Sequence, residues 1–254
     1  MNVLEVYQGS GPAQQDLAFE GWMLDRAAAG HPCLLLASWE GPVTVLGYAQ
    51  DASEVDLDWC RRQGIPVLRR LSGGSGVIHR RDLSVALALP VSHAWARGVL
   101  GLYDRFLDVL VPALREVGSA VERKDGSPRA TRVRSPICFM DQLTDTLLVD
   151  GRKAVGCAQT RRRGAALVHA AVLLGLDPEL YARVFRSDAE LVRGALVPAL
   201  DGGDWRSVGG AIARVLGEAL GLGQMPVPMP VLPSSYLEMY QTAKWAPLVA
   251  ADSS

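Results

Sequence analysis

The chain has 254 residues, 26 of them Lys or Arg and 27 Asp or Glu, and about half are apolar, which makes a globular chain able to bury a full core. No uncharged apolar run reaches the roughly 18 residues of a membrane span, and "MNVLEVYQGSGPAQQ" lacks the basic and apolar regions of a signal peptide, so a cytoplasmic chain without a membrane partner is expected. The cysteines, Cys33, Cys60, Cys138 and Cys157, form no C-x-x-C pair and no cluster with histidines, which excludes a disulfide framework and a structural metal.

Ser10 as a cap and Pro12 in the first turn precede Leu17, Gly21, Leu24 and Ala28 at helical spacing, and Gly30 closes an amphipathic helix. "CLLLAS" (33–38) and "VTVLG" (43–47) flank the turn signal "WEGP" and predict a pair of strands. A short helix over 55–64 and a strand over 65–71 lead to the glycine-rich loop "SGGSGV" (72–77) and a buried strand, "LSVALALP" (83–90). Apolar residues at 99, 102, 103, 106, 107, 110, 114 and 117 predict a helix kinked at Pro112. Residues 118–136, polar and turn-rich, are expected to be a mobile loop.

Asp150-Gly151 between "TLLV" and "RKAVGCAQT" predicts a hairpin with a type I′ turn, because that dipeptide accepts positive φ at both central positions. Lys153 then stands near the start of the second arm. "RRRG" (161–164) turns the chain into an apolar strand over 165–176, and helices follow over 179–186, 188–197 and 205–220. A proline-rich extended connector (221–234) precedes a Tyr-rich end (234–245). Strands mixed with helices, yet without regular βαβ alternation, predict an α/β (α+β) domain on a mixed sheet rather than a Rossmann or TIM architecture.

Charge is uneven along the chain. Residues 61–81 hold six arginines and no acid, and residues 121–163 hold ten Lys or Arg against five Asp or Glu. If these stretches meet, they make a basic surface suited to an acidic protein, phosphates or nucleic acid. "RRLSGGSGVIHRRD" matches neither G-x-x-x-x-G-K-[ST] nor G-x-G-x-x-G, so it carries no nucleotide signature. Its glycines let the backbone approach a ligand, with Arg69 and Arg70 adding positive charge; a tight turn with solvated arginines is the alternative.

Cys138 follows Pro136, with Arg132 and Arg134 upstream. That setting favours thiolate over the usual thiol pKa of about 8.5, as a nucleophile requires, whereas packing as a small hydrophobe is the alternative. Cys33, Cys60 and Cys157 lie in apolar or helical stretches and are expected to pack. Lys153 is a surface residue by position, yet a lysine held over a reacting carbonyl supplies charge where negative charge develops. His79 and His169 are candidate bases, but no Ser/His/Asp constellation is readable.

"RRLSGGSGVIHRRDLSVAL" resembles R-R-x-(S/T)-G-G-G-A-V-x-H-x-x-x-L, and "LLVDGRKAVGCAQTRRRGAALVHAAVLL" resembles x-x-G-x-K-(I/V)-x-G-S-A-Q-x-R followed by L-x-H-G-S-(I/L)-L. Both are motifs of the lipoate–protein ligase / octanoyltransferase superfamily, related in fold to biotin–protein ligases, and they stand in that family's order and spacing. Ser75-Gly76 replaces the family's Gly-Ala, and Cys157 its Ser. The resemblance covers about residues 1–180 and implies a biotin/lipoate ligase-like catalytic domain there, its mixed, largely antiparallel sheet flanked by helices. Residues 181–254 would be a helical C-terminal extension packed on the same domain. "SPICF" is similar to the S-P-x-x-C-F element of the cysteine-dependent octanoyltransferases of Gram-positive bacteria.

The resemblance implies an acyltransferase of lipoate biosynthesis in which Cys138 carries octanoyl as a thioester. Lys153, with backbone amides near Gly74 or Gly156, would stabilise the oxyanion. Substrate contacts are implied for Arg70, Ser72, Gly73, Gly74, Ser75, Gly76, Val77, His79, Gly156, Cys157, Ala158 and His169, and Val77, Val168 and Val172 would line an acyl tunnel. The implied donor is octanoyl-acyl carrier protein, and the acceptors are lipoyl domains or glycine-cleavage H protein, with the arginine clusters as docking face. No nucleic acid, metal or cofactor is implied. The alternatives are an ATP-dependent lipoate–protein ligase acting through a lipoyl-adenylate, which would use ATP and Mg, and a non-catalytic lipoyl-carrier binding or assembly protein.

Overall fold

A computed structural model describes residues 3–39, 41–123, 135–137, 146–162, 164–238 and 248–249. In chain order these form β1 (Val3–Gly9), α1 (Ala13–Ala28), β2 (Cys33–Ala37), β3 (Val43–Leu46), α2 (Leu57–Arg62), β4 (Val67–Arg69), β5 (Val77–His79), β6 (Asp82–Pro90) and α3 (Val99–Glu116). There follow β7 (Glu122–Arg123), β8 (Thr146–Val149), β9 (Arg152–Arg162), β10 (Ala165–Leu173), α4 (Pro178–Phe185), α5 (Ala189–Ala195), α6 (Trp205–Leu220), β11 (Gly223–Pro226) and α7 (Ser234–Glu238).

The strands make two sheets. The larger has the order β11-β1-β2-β6-β10-β9-β8-β7, and the smaller β4-β3-β5. In the larger sheet β1 runs parallel to both neighbours, and the remaining pairs are antiparallel. This is the mixed, largely antiparallel sheet expected, flanked by helices.

Alternation along each strand sorts side chains between two layers. Leu4 and Val6 of β1, Leu34 and Leu36 of β2, Val85, Leu87 and Leu89 of β6, and Val168 and Val172 of β10 face one way. They pack against Leu102, Phe106 and Leu110 of α3 and Val208, Ile212 and Leu216 of α6. Tyr7, Leu35, Ala86 and Leu167 face the other way, onto Phe19, Met23 and Leu24 of α1. A separate cluster joins the smaller sheet to α4 through Val45, Val67, Ile78, Tyr181 and Phe185.

Asp150 and Gly151 have φ of 50° and 73°, so the β8–β9 hairpin turns as its sequence predicts. Several expectations need correction. The runs over 33–38 and 43–47 are strands but not a pair: β2 joins β1 and β6, whereas β3 joins β4 and β5. Trp39, buried beyond β2 and stacked on His79 at 4.6 Å, marks where the chain leaves one sheet for the other. Neither β1 nor β11 was anticipated; β11, inside the proline-rich connector, pairs with β1. Val168 and Val172 lie beneath the sheet against α3 and α6, so they line no tunnel on the α1 side; Val77 does. Within 118–136 the chain forms β7, and 124–134 lie outside the described residues.

Candidate active site

Small residues open a space above the sheet. On its α1 side β2 offers Ala37, β6 Ser84 and Ala86, β9 Gly156 and Ala158, and β10 Ala171. The space they leave is a pocket, partly open to solvent. α1 closes it with Asp16, Leu17 and Glu20, and the smaller sheet with Val45, Val77 and His79. A mostly apolar lining with a few convergent polar groups is the usual composition of a small-molecule site.

Of the residues singled out from sequence, Arg70, Val77, His79, Gly156, Cys157, Ala158 and His169 line this pocket. Arg70 is buried, and its donors serve the glycine loop: Ser72 Oγ at 2.9 Å and the carbonyls of Gly73 at 2.7 Å and Ser75 at 3.0 Å. Arg69 likewise donates to the carbonyls of Gly47 at 2.7 Å and Gln50 at 2.8 Å. Arg69 and Arg70 therefore brace the fold rather than stand solvated, whereas Arg80, paired with Asp177, is exposed. The loop also needs its glycines. A Cβ on Gly47 would sit 1.8 Å from the Gly74 carbonyl oxygen, and Gly74 itself has φ of +94°.

The structure assembles what the sequence did not show, a hydroxyl–imidazole–carboxylate chain. Ser72 Oγ lies 2.8 Å from His169 Nε2, and His169 Nδ1 lies 2.7 Å from Glu20 Oε1. With Nδ1–H donating to Glu20, Nε2 accepts the Ser72 hydroxyl proton. Ser72 is 1% exposed and already accepts from Arg70, so no carbonyl carbon can approach it. The chain holds His169 in place. A second imidazole, His79, is fixed by Asp82 Oδ2 at 2.6 Å, and Trp39 Nε1 donates to neighbouring Ser84 Oγ at 2.8 Å.

Two carboxyls of α1 stand at this pocket with unpartnered buried oxygens, Asp16 Oδ2 and Glu20 Oε2. Burial, reinforced by the nearby Glu20 charge, pushes Asp16 up to about 7. Sequence analysis passed over both residues. The signal was present: acids at 16 and 20 fall on the same stripe as Leu17 and Leu24, where an amphipathic helix should be apolar. Trp39, Ser84 and Asp82 were also missed, and only Asp82, three residues beyond His79, left a local trace.

Lys153 is buried at 3% exposure, not on the surface as its position by a turn suggested. A bulge explains its aim. β8 and β9 pair Leu147 with Val155 but Leu148 with Lys153, so Ala154 is an extra residue. Ala154 and Val155 both pack below the sheet, which returns Lys153 to the face that carries Gly156 and Ala158. Its carbonyl accepts from Val197 N at 3.1 Å, which ties β9 to the end of α5.

Cys138 lies outside the described residues. The residues just before it are tied to the glycine loop: Gly76 N donates to the Pro136 carbonyl at 2.9 Å, and Gln50 Nε2 to the same oxygen at 2.8 Å. Ile137 bridges Gly76 and is buried. Burial pushes the Cys60 thiol up to about 11 and raises that of Cys33 as well, the opposite of activation. Cys157 is buried, packs with Val155 and Ala170 and also borders the pocket. Among the described residues no group of His, Cys, Asp and Glu could hold a metal ion, and no helix is long and apolar enough to cross a membrane.

Comparison with known proteins agrees with this geometry. The octanoyltransferase LipM of Kyrpidia tusciae is 32% identical over 199 residues, 75% of this chain and 73% of that protein. The octanoyltransferase LipM of Geobacillus kaustophilus is 32% identical over 194 residues, 73% of this chain and 70% of that protein. In fold, the chain matches a lipoate-protein ligase A bound with ATP at a TM-score of 0.77, with 22% identity and coverage of 96% and 97% of the two chains. It matches a bipartite lipoate protein ligase from Thermoplasma acidophilum at 0.75, with 20% identity and coverage of 96% and 94%. A family model, the lipoyl protein ligase A/B catalytic domain, matches residues 12–196, which span the pocket, the glycine loop and Lys153, and so this chain belongs to the lipoyl protein ligase A/B catalytic domain family.

Proposed function

We propose that this chain is an octanoyltransferase of lipoate biosynthesis that moves octanoyl from acyl carrier protein, through a thioester on Cys138, to a lysine of a lipoyl domain or of glycine-cleavage H protein. The observation that carries the reading is an apolar pocket on the same sheet face as a buried lysine, in a chain 32% identical to octanoyltransferases over 73% of their length. A tight anchor of Pro136 and Ile137 on the glycine loop supports it, since these two residues directly precede Cys138.

The chemistry balances without ATP. Cys138 thiolate adds to the thioester carbonyl, the tetrahedral oxyanion collapses, and the carrier's sulfur leaves as a thiolate with the new acyl–cysteine bond formed. The acceptor amine then adds to that carbonyl, the Cys138 sulfur leaves, and the amine's proton is released as the amide forms. Lys153, itself buried, supplies positive charge where the oxyanion develops. No cofactor is required on this route, and a cytoplasmic reaction is part of the same proposal.

Incubation of the purified protein with octanoyl-acyl carrier protein in the absence of ATP, followed by intact-mass measurement, tests the reading. An adduct of one octanoyl group is expected on the wild type and none on Cys138→Ser. Lipoylation of a carrier that requires ATP and persists in Cys138→Ser would establish a ligase instead.

A further inference from the structure

The interior pocket is not the only space that touches Asp16. A second, more open cavity lies between Gly9, Ser10 and Gly11 and the segment Met229–Leu232 that follows β11. Asp16 is the one described residue that lines both. Its Oδ1 lies 3.8 Å from the position of a Cβ on Gly9, and the Met229 Cε methyl lies 3.8 Å from the same point. Asp16, itself buried, therefore stands at the border of both spaces.

Its position across the sheet is distal to Lys153. Gly9, which Asp16 Oδ1 approaches, pairs with Ala37, Ala37 with Ser84, Ser84 with Ala171 and Ala171 with Gly156, so Asp16 stands four strands away from β9, which carries Lys153. Asp16 is 3% exposed with Oδ2 unpartnered, and Glu20 is 8% exposed with Oε2 unpartnered. Buried polar atoms without partners are rare and call for an explanation other than folding. Neither carboxyl gains anything from a saturated hydrocarbon tail, so specific recognition of the chain terminus does not explain them; an obstruction does.

We infer that Asp16 is the end-stop of the acyl pocket: its side chain closes the passage to the cavity beneath the Met229–Leu232 segment and so limits the length of acyl chain that the pocket accepts. This rests on the acyl-transfer reading above. A short chain ends inside against Asp16 and Glu20. A longer one must leave its last methylenes in water or displace the carboxyl. Shortening residue 16 joins the cavities and gives those methylenes an apolar path along Met229, Pro230 and Leu232.

The test is calorimetric titration of the whole chain with octanoate, decanoate and dodecanoate, for the wild type, Asp16→Asn and Asp16→Ala. Free acids report on the pocket whether or not Cys138 forms a thioester. In the wild type and in the isosteric Asp16→Asn, affinity is expected to stop rising after octanoate. In Asp16→Ala it is expected to keep rising, by up to about fourfold per added methylene or roughly 200-fold from octanoate to dodecanoate. Parallel length profiles in the wild type and Asp16→Ala, with octanoate bound by both, would overturn the end-stop and leave the acyl pocket standing. Absence of binding by any acid to any of the proteins would overturn both. Should Asp16→Ala fail to fold, Asp16→Ser makes a comparable opening and is held to the same outcomes.

Discussion

Two buried carboxylates near α1 meet opposite fates. Glu5, on the α1 face of β1, receives two bonds from Arg26, at 2.6 and 2.9 Å, and one from the Tyr7 hydroxyl at 2.7 Å. Those donors, Arg26 foremost, hold its carboxyl below the usual range despite burial. Asp16 on α1 is as deeply buried but has no such donor, and burial pushes it up to about 7. One carboxylate is wired into the fold, whereas the other is carried at a cost to it. The difference teaches where to look for function: a buried charge that the fold does not satisfy stands at the pocket, and the one it satisfies stands away from it.

The largest expected effect breaks this comparison by removing Asp16's charge. Folding raises its pKa from the ordinary aspartate value near 4 to about 7. Between those values the native protein holds a proton that the unfolded chain releases, so stability falls as pH rises through that window. A shift of that size corresponds to a loss on the order of 4 kcal/mol across pH 4 to 7. Asp16→Asn should flatten that limb and be the more stable protein at neutral pH, as urea unfolding at a series of pH values would show. An unchanged slope would mean that Asp16 finds a partner in solution.

A smaller effect sharpens the comparison by making Glu5 resemble Asp16. In the wild type Glu5 contributes stability above its unfolded pKa, and that contribution is lost as pH falls through the lower folded value. Arg26→Met strips its strongest donors and leaves the carboxylate buried beside Tyr7. The variant should lose about 2–3 kcal/mol at neutral pH, at the low end for a broken buried pair because the Arg26 side chain is 36% exposed. Its additional pH dependence should take the Asp16 sign, with stability recovering on acidification. Double substitution with Glu5→Gln should restore most of the loss, since no uncompensated charge then remains.

The same contrast explains what could be read from sequence. The β8–β9 turn was legible because Asp150-Gly151 dictates its own backbone, and the helices α3 and α6 were legible because an apolar stripe repeats along each. The direction of Lys153 was not, since the bulge at Ala154 exists only in the register between two strands. Pairing of β2 with β1 and β6 rather than β3 is likewise a property of the sheet. β1 escaped notice because nothing in "VLEVYQG" fixes its pairing with β2 and β11, again a property of the sheet, and β11 because its residues are exposed. The pocket owes its space to small residues on four different strands, which no local window joins. Ser72, His169 and Glu20 come from three distant segments and meet only in the folded chain. Asp16 and Glu20 were legible as acids on an apolar stripe, and that anomaly was the clearest local clue to the site.

The smallest expected effect sets the scale for the other two. Arg193 on α5 contacts two carboxylates, Glu190 and Glu179, but the three side chains are 41%, 82% and 66% exposed. Water already solvates each charge, and ordering three long side chains opposes the attraction, so Arg193→Ala should cost less than about 0.5 kcal/mol. What little it costs should vanish at about 1 M salt, where the screening length is near 3 Å. The Arg26 effect should survive the same salt, because Glu5 is closed off from the ions. Equal salt sensitivity of the two variants would show that Glu5 is reached by solvent, and the division between a satisfied interior charge and a costly one would then fail at its better-wired end.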